Sequence, residues 1–430
     1  NAIKKNVFSS DLFTALAVCN MNAFEFSEGI KYLDMSFKKL LVQGDDSQKT
    51  FMSVSQIFFG LNYSIDYSAE KIFCYYRKFD QKFGIPLQKH WKPFPQIKKH
   101  KTKLKIGYVS PDFKNHSMES FLKPVLENHN REEFEIYAFA QLSQEDDTTL
   151  EYKSLVDQWV PTQGFTDLEM VKKIRELQID ILVDLAGHTK GNRLGVFAYK
   201  PTPISCSWWI GSGYTTGLSA IDYFLTDDVM APPGSEHLFS ETLCPLPSHA
   251  AIWQPDPQKM GNVNRLPALT KEYITFGTLT RAIRINDNVI KAWSEILKRV
   301  SNSKLIINSS DFNHYKNRRM IISKFKEYEV DSNRLEIGYQ SPPWDLMRQI
   351  DIALDCFPHN SGTTLTEHLY MGNPFITLSG RPGVGKIGAA LLTAIGRGEW
   401  IAVSEEEYIQ KAVNLASDIN KLATIRRSLR

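Results

Sequence analysis

From Lys103 onward the sequence switches back and forth between two textures. Short runs rich in β-branched and aromatic residues ("KLKIGYVS", "FEIYAFAQ", "IDILVDL") alternate with longer runs that have apolar residues three and four apart, "MESFLKPVLENH" and "TDLEMVKKIRELQ". Strand then helix predicts parallel βαβ units, because a parallel strand pair needs a crossover long enough to carry a helix. A Pro-rich stretch reaching about Leu266 interrupts the pattern, and a second series opens at "EYITFGTL". It passes through "SKLIINSS", "RLEIGY", "DIALDCF" and "PFITLSG" and ends in the helical "SEEEYIQKAVNLASDINKLATIRRSLR". A chain of 430 residues is too long for one core. The two α/β series are therefore expected as two doubly wound domains, residues 100–268 and 269–430. Ligands of such sheets bind at the carboxyl ends of the strands, so a cleft between two facing sheets is the expected site.

Residues 1–95 lack this alternation and read as helices: "DLFTALAVCNMNAF", "FSEGIKYLDMSFKKLLVQ", "SQKTFMSVSQIFFGLNYS" and "SAEKIFCYYRKFDQKFG". In the last, Ser68 is the expected N-cap and Gly84 the expected stop. Paired helices of this kind are expected to be TPR-like, although no clean period of roughly 34 residues emerges and a plain helical domain fits equally. The run "KPFPQIKKHKTKLK" (Lys92 to Lys105) holds two prolines and no helical period, which predicts a solvated linker. Over the whole chain the charges nearly cancel, to a net +3, so nothing points to nucleic acid as a partner. Five scattered cysteines without a CxxC pair suggest neither a disulfide framework nor a zinc site, and a reducing cytoplasm is expected. No run of ~18 apolar residues predicts a membrane span. The opening "NAIKKNVFSS" lacks the apolar core of a signal peptide, and its missing Met leaves room for residues upstream.

The chemistry starts in "DCFPHNSGTTLTEHLYMGNPFITLSGRP", Asp355 to Pro382. A strand-like run breaks at Asn360-Ser361-Gly362 and resumes with helical spacing, which puts a helix N-terminus at a strand's carboxyl end. Free N–H groups and the positive end of the helix dipole would face an anion there. Gly362 allows close approach, Thr363 and Thr364 add hydroxyls, and Glu367, one turn in, is placed to accept from a ribose hydroxyl. Thr363 also reads simply as the helix N-cap. A second such turn follows "YITFGTL", where the strand ends at Thr280 and Arg281 and Arg284 precede a helix capped near Asn286 or Asp287. Two guanidiniums there suit a diphosphate, or else are solvated surface groups. A third turn, "GRPGVGKIGAALL", sets Lys386 ahead of a helix. In the first series His116 ("SPDFKNHSMESF") and His188 ("DLAGHTKGNR") both follow strands, and either could act as base or hydrogen-bond partner, or be structural. Metal-ligand spacings such as HxxxH or DxD are missing, so no metal is expected.

Taken in order, "KIGYVSPDFKNH", "DILVDLAGHTKGNRLGVFAYKPTPISCSWWIGSGYTTGLSAIDYFLTD", Ser240-Glu241, "ITFGTL" and "DIALDCFPHNSGTTLTEHLYMGNPFITLSG" resemble the O-GlcNAc transferase family, from about Ser53 to Arg430. The resemblance implies a GT-B fold, two Rossmann-like domains facing a cleft behind an α-helical N-terminal region. It also implies a metal-independent, inverting protein glycosyltransferase without cofactor. The donor would be a nucleotide-sugar, first of all UDP-GlcNAc, and the acceptor a Ser or Thr of a protein or peptide held by the helical region and the cleft. UDP-glucose on Asn, GDP-fucose on Ser or Thr, and a non-catalytic scaffold that binds a nucleotide-sugar are the alternatives. By the same resemblance His116 matches the active-site His of a "DFxxH" motif, and His188, with Asn192, Gly211 and Gly213, lines the sugar and acceptor side. Thr363, Thr364, Gly362, Glu367, Thr280, Arg281 and Lys386 fall to the donor. Arg284 stands where the family has a catalytic lysine, keeping the charge but not the geometry. Trp344, in the region that reads the base, is expected either to stack on it or to pack in the core.

Overall fold

The computed structural model describes residues 9–23, 25–45, 47–94, 103–211, 213–247 and 252–430. Residues 95–102 of the Lys92–Lys105 linker and residue 212 of "GSGYTTG" lie outside them. The chain forms two compact units, one of residues 1–17 and 30–254, the other of residues 18–29 and 255–430.

The chain opens with α1 (Ser10–Asn22) and α2 (Phe26–Gln43), whose residues 18–29 count with the second unit, followed in the first unit by α3 (Gln48–Leu61) and α4 (Ala69–Phe79). Ser68 caps α4 by accepting the Lys71 N–H. Gly84 does not end an α-helix. The chain widens after Phe79 into a π-helix over Asp80–Gly84 and tightens into a 3₁₀ turn over Ile85–His90, where Pro86 enters. A Cβ on Gly84 would sit 2.1 Å from Asp80 Oδ1, so the bare backbone is what lets that turn close.

The elements that follow are β1 (Leu104–Ser110), α5 (Glu119–Glu127), β2 (Phe134–Ala140), α6 (Asp147–Ser154), β3 (Gln158–Pro161), α7 (Asp167–Glu176), β4 (Ile181–Asp184), α8 (Leu194–Ala198), β5 (Ile204–Trp208), β6 (Tyr223–Thr226) and β7 (Thr242–Pro245). Among the described residues they make a seven-stranded sheet in the order β3-β2-β1-β4-β5-β6-β7, and each pairing is parallel. Short β3 and β7 lie at the two edges and half-polar β5 inside, all three in stretches that the alternation left unassigned.

The second unit holds α9 (Pro257–Met260), α10 (Ala268–Lys271), β8 (Ile274–Leu279), α11 (Asp287–Arg299), β9 (Ser303–Asn308), α12 (Tyr315–Glu327), β10 (Leu335–Gly338), α13 (Trp344–Met347), β11 (Ile352–Leu354), α14 (Thr363–Tyr370), β12 (Phe375–Leu378), α15 (Ile387–Ala394), β13 (Ile401–Ala402), α16 (Glu405–Ser417) and α17 (Ile419–Ser428). Its parallel sheet runs β10-β9-β8-β11-β12-β13. The strand order reverses between β8 and β11, and a crevice at such a reversal is where doubly wound sheets bind ligands. β8 and β11 are buried along their whole length, as inner strands covered on both faces must be. α11 turns Val289, Ile290, Trp293, Ile296 and Leu297 inward, and Trp293 donates its indole N–H to the Tyr408 hydroxyl of α16 at 3.0 Å. Among the described residues no helix is long and apolar enough to cross a membrane.

Candidate functional site

At the end of β11 three buried polar side chains shape the turn that leads into α14. Asp355 Oδ1 accepts the N–H groups of Cys356 and Ser361, each at 2.8 Å, and Oδ2 accepts the Thr377 hydroxyl of β12 at 2.7 Å. Burial pushes the Asp355 carboxyl up to about 7 despite those donors. Asn360 donates its amide to the Cys356 carbonyl at 2.9 Å and its own N–H to the Val384 carbonyl at 2.9 Å, while its Oδ1 accepts the Gly388 N–H at 3.3 Å. His359 donates Nδ1–H to the Asn360 carbonyl at 2.8 Å. Burial, with Arg284 next, holds this imidazole well below its ordinary pKa, so it is neutral.

The turn delivers the end of α14 without a cap. Gly362 occupies the N-cap position with no side-chain hydrogen bond, and Thr363 is the first helical residue rather than the cap that its sequence position also allowed. The Leu365 N–H turns back to the Gly362 carbonyl at 2.9 Å, which leaves the N–H groups of Thr363 and Thr364 for a partner outside the helix. A Cβ at Gly362 would meet no atom within 4 Å. Thr363 and Thr364 are half-buried beside it. One turn on, the half-buried Glu367 carboxylate has no hydrogen-bond partner among the described residues, and desolvation raises its pKa to about 7.

The turn after β8 meets this one through hydroxyls, Thr280 Oγ1 lying 3.1 Å from Ser361 Oγ. Arg284, half-buried, reaches within 3.5 Å of both Thr280 Oγ1 and His359 Nδ1, and Arg281 is exposed. The N-terminus of α11 itself is closed, since Asn286 accepts the Val289 N–H. The arginines, not that helix end, are therefore what the β8 turn offers an anion. The third expected turn is also joined here: α15 starts behind Lys386 with no side-chain cap, and the Lys386 ammonium donates to Ser379 Oγ at 3.0 Å. Trp344 opens the short α13 and is half-buried, neither in the core nor fully out.

In the first unit His116 lies in the turn between β1 and α5, partly exposed. The Met118 N–H donates to its Nδ1 at 3.3 Å, and Asp112 Oδ2 is 3.9 Å away. An Nδ1 that accepts leaves the proton of the neutral ring on Nε2. His188 is placed otherwise than expected. It is 2% exposed, donates Nε2–H to the Thr216 carbonyl at 2.8 Å, accepts the Ser55 hydroxyl at Nδ1 at 3.0 Å, and is ringed by Phe58, Tyr76 and Phe79. Desolvation lowers its pKa to about 4. With both nitrogens engaged inside the unit, His188 cannot meet a sugar or act as a base. Asn192 shares that interior, donating to Ser55 Oγ at 3.0 Å and to the Thr189 carbonyl at 2.8 Å. Gly211 lies so close to the backbone after β4 that a Cβ would be 2.7 Å from the Ala186 carbonyl carbon, and Gly213 has φ +72°. Glu241 supports this loop from below, accepting the Thr216 N–H at 2.8 Å and the Thr215 hydroxyl at 2.5 Å.

Asp355 and His359 escape a reading by motif, and Asn360 shows only as part of a break in an apolar run, yet a signal for the first two exists. "QIDILVDLAGH" (Gln178–His188) and "QIDIALDCFPH" (Gln349–His359) agree at six of eleven positions. They carry β4 and β11, the equivalent strands of the two sheets. Among the described residues no group of three or more His, Cys, Asp or Glu side chains is arranged to hold a metal ion.

A family model, Glycosyl transferase family 41, matches residues 85–260 and 260–430. The chain is 32% identical to the Arabidopsis thaliana "Probable UDP-N-acetylglucosamine–peptide N-acetylglucosaminyltransferase SPINDLY", over 86% of this chain and 41% of that one. It is 33% identical to the Hordeum vulgare protein of the same name, over 86% and 40%. It thus spans about two fifths of the length of these relatives. A solved structure, a Thermobaculum terrenum O-GlcNAc transferase mutant, superposes with a TM-score of 0.89 at 28% identity, covering 98% of this chain and 79% of the other.

Proposed function

Because the chain belongs to glycosyl transferase family 41 and has the GT-B fold, we propose that it transfers a sugar from a nucleoside-diphosphate donor to protein side chains. UDP-GlcNAc and Ser or Thr are the first candidates, in keeping with the printed activity of the SPINDLY relatives. The observation that carries the reading is the uncapped end of α14 set beside Arg284 at the strand-order reversal of the second sheet. In the reaction an acceptor oxygen forms a bond to the anomeric carbon while the bond from that carbon to the diphosphate oxygen breaks. The acceptor proton passes to the leaving phosphate or to water. Arg284, Arg281 and the free N–H groups at Thr363 and Thr364 meet the charge that builds on the diphosphate, which is the largest electrostatic demand of the step. Glu367, without a hydrogen-bond partner among the described residues, accepts from the ribose, and Trp344 stacks on the base. Lys386, tied to Ser379, supports the glycine loop rather than touching phosphate. His116, whose Nδ1 is taken by the Met118 N–H, is left with Nε2–H to orient an acceptor oxygen by donating to it, which is a different role from general base.

Calorimetry with UDP-GlcNAc, UDP-glucose and GDP-fucose tests the proposal. One donor is expected to bind best, with Arg284→Ala and Thr364→Ala each weakening it, the former by about tenfold or more. That donor is also expected to release free sugar slowly into water. A chain that binds none of the three overturns the reading. Tight binding without any turnover would leave only a nucleotide-sugar-binding scaffold.

A further inference from the structure

Two helices in the second unit, α14 and α15, start without a side-chain cap on their own N-cap residue, and one residue of the turn before α14 also bonds the chain on both sides of the start of α15. Asn360 is 0% exposed. Its amide N–H holds the Cys356 carbonyl, at the head of the turn that leads to α14. Its Oδ1 takes the N–H of Gly388, the second residue of α15, and its backbone N–H takes the Val384 carbonyl in the glycine loop before that helix. The carbonyl of Asn360 in turn receives Nδ1–H of His359, which lies against Arg284.

We propose that Asn360 is a positioning residue that fixes the start of α14 relative to the start of α15, so that the two sets of helix-end N–H groups address one diphosphate together. The inference rests on the donor site proposed above and deepens it. Without the Asn360 side chain each turn retains its own local bonds: Asp355 still holds Ser361, and Lys386 still holds Ser379. What is lost is the side-chain link from Cys356 to Gly388, which leaves the backbone bond from residue 360 to Val384 to hold the two turns in register. A ligand that needs both turns then suffers more than one that needs a single turn.

The readout is the ratio of affinities for a nucleoside diphosphate and its monophosphate, measured by calorimetry with UDP and UMP, and with GDP and GMP, alongside the melting temperature. In the wild-type chain the diphosphate of the preferred base is expected to bind at least tenfold more tightly than the monophosphate. In Asn360→Ala that ratio is expected to fall to about twofold while the monophosphate affinity changes little. General loosening would lower both affinities alike and leave the ratio where it was. Asn360→Asp guards against a variant that fails to fold: it is isosteric and keeps the acceptor for Gly388 but sets an oxygen against the Cys356 carbonyl, so the same fall in ratio is expected. A wild-type preference for diphosphate that survives in a folded variant overturns the role of Asn360 alone. A wild-type chain with no preference for either diphosphate takes down the donor site and this inference with it.

Discussion

Gln178–His188 and Gln349–His359 are one cassette used twice, and their surroundings turn it to opposite ends. In both, the first aspartate closes the amino end of the sheet: Asp180 accepts the Lys105 N–H at 2.7 Å and Asp351 the Thr275 N–H at 2.8 Å, each on the second residue of the neighbouring strand. In both, the second aspartate gathers the turn at the carboxyl end. Asp184 takes the N–H groups of Ala186 and Gly187 and the Ser207 hydroxyl, as Asp355 takes those of Cys356 and Ser361 and the Thr377 hydroxyl. The difference starts at the histidine. His188 is enclosed by aromatic rings of α3 and α4, whereas His359 lies beside Arg284 at the open start of α14. A shared backbone device thus builds a turn, and what packs on the turn decides whether it is core or site.

The largest effect that would break this comparison is on the histidines themselves. His188→Ala is expected to destabilise the first unit by about 2–4 kcal/mol, since it opens a cavity and leaves the Ser55 hydroxyl and Thr216 carbonyl unmet. It should leave UDP affinity unchanged. His359→Ala is expected to do the reverse, weakening UDP by about tenfold with a smaller loss of stability. Denaturant melts and calorimetry on the two variants decide it, and equal behaviour would mean that the two turns do the same job.

A middle-sized effect separates the cassettes by pH. The folded pKa of His188 is depressed to about 4, so its contribution is present above about 6.5 and lost as pH falls through 4. The folded pKa of Asp355 is raised to about 7, so its contribution is present below about 4 and lost as pH rises through 7. His188→Phe is therefore expected to flatten the acid limb of the stability–pH curve by up to about 3 kcal/mol and Asp355→Asn the neutral limb by up to about 4 kcal/mol. Two variants that flatten the same limb would refute this assignment.

The smallest expected effect falls on the staples. Ser207→Ala and Thr377→Val each remove one buried hydrogen bond and should cost about 1 kcal/mol. Only Thr377→Val should also shift UDP affinity, by about twofold to threefold, in calorimetry.

How much of this the sequence discloses depends on how far away a residue's partners are. The sheet around β8, β9 and β11 follows from local runs of apolar residues, and the end of α14 follows from Asn360-Ser361-Gly362 breaking such a run. The cap on α4 at Ser68 is equally local. The fate of His188 is not, because its partner Ser55 lies 133 positions earlier and nothing near His188 distinguishes it from His116. Strands β3 and β7 are too short and too polar to show a period. Asn360 reads as a turn residue, which it is. Its bond to Gly388, 28 positions on, exists only once α15 has folded back beside it.

The ring of Phe58, Tyr76 and Phe79 around His188 has a practical side for anyone preparing this protein. A shortened chain that begins after residue 95, cut where the sequence suggests a linker, would discard those three rings with Ser55. It would uncover the aromatic-lined face that Tyr214 and His188 now share with Tyr76. Such a fragment is expected to come out of cells as aggregate, and one that starts ahead of α3 to stay in solution, so the position of the cut decides whether there is anything to assay.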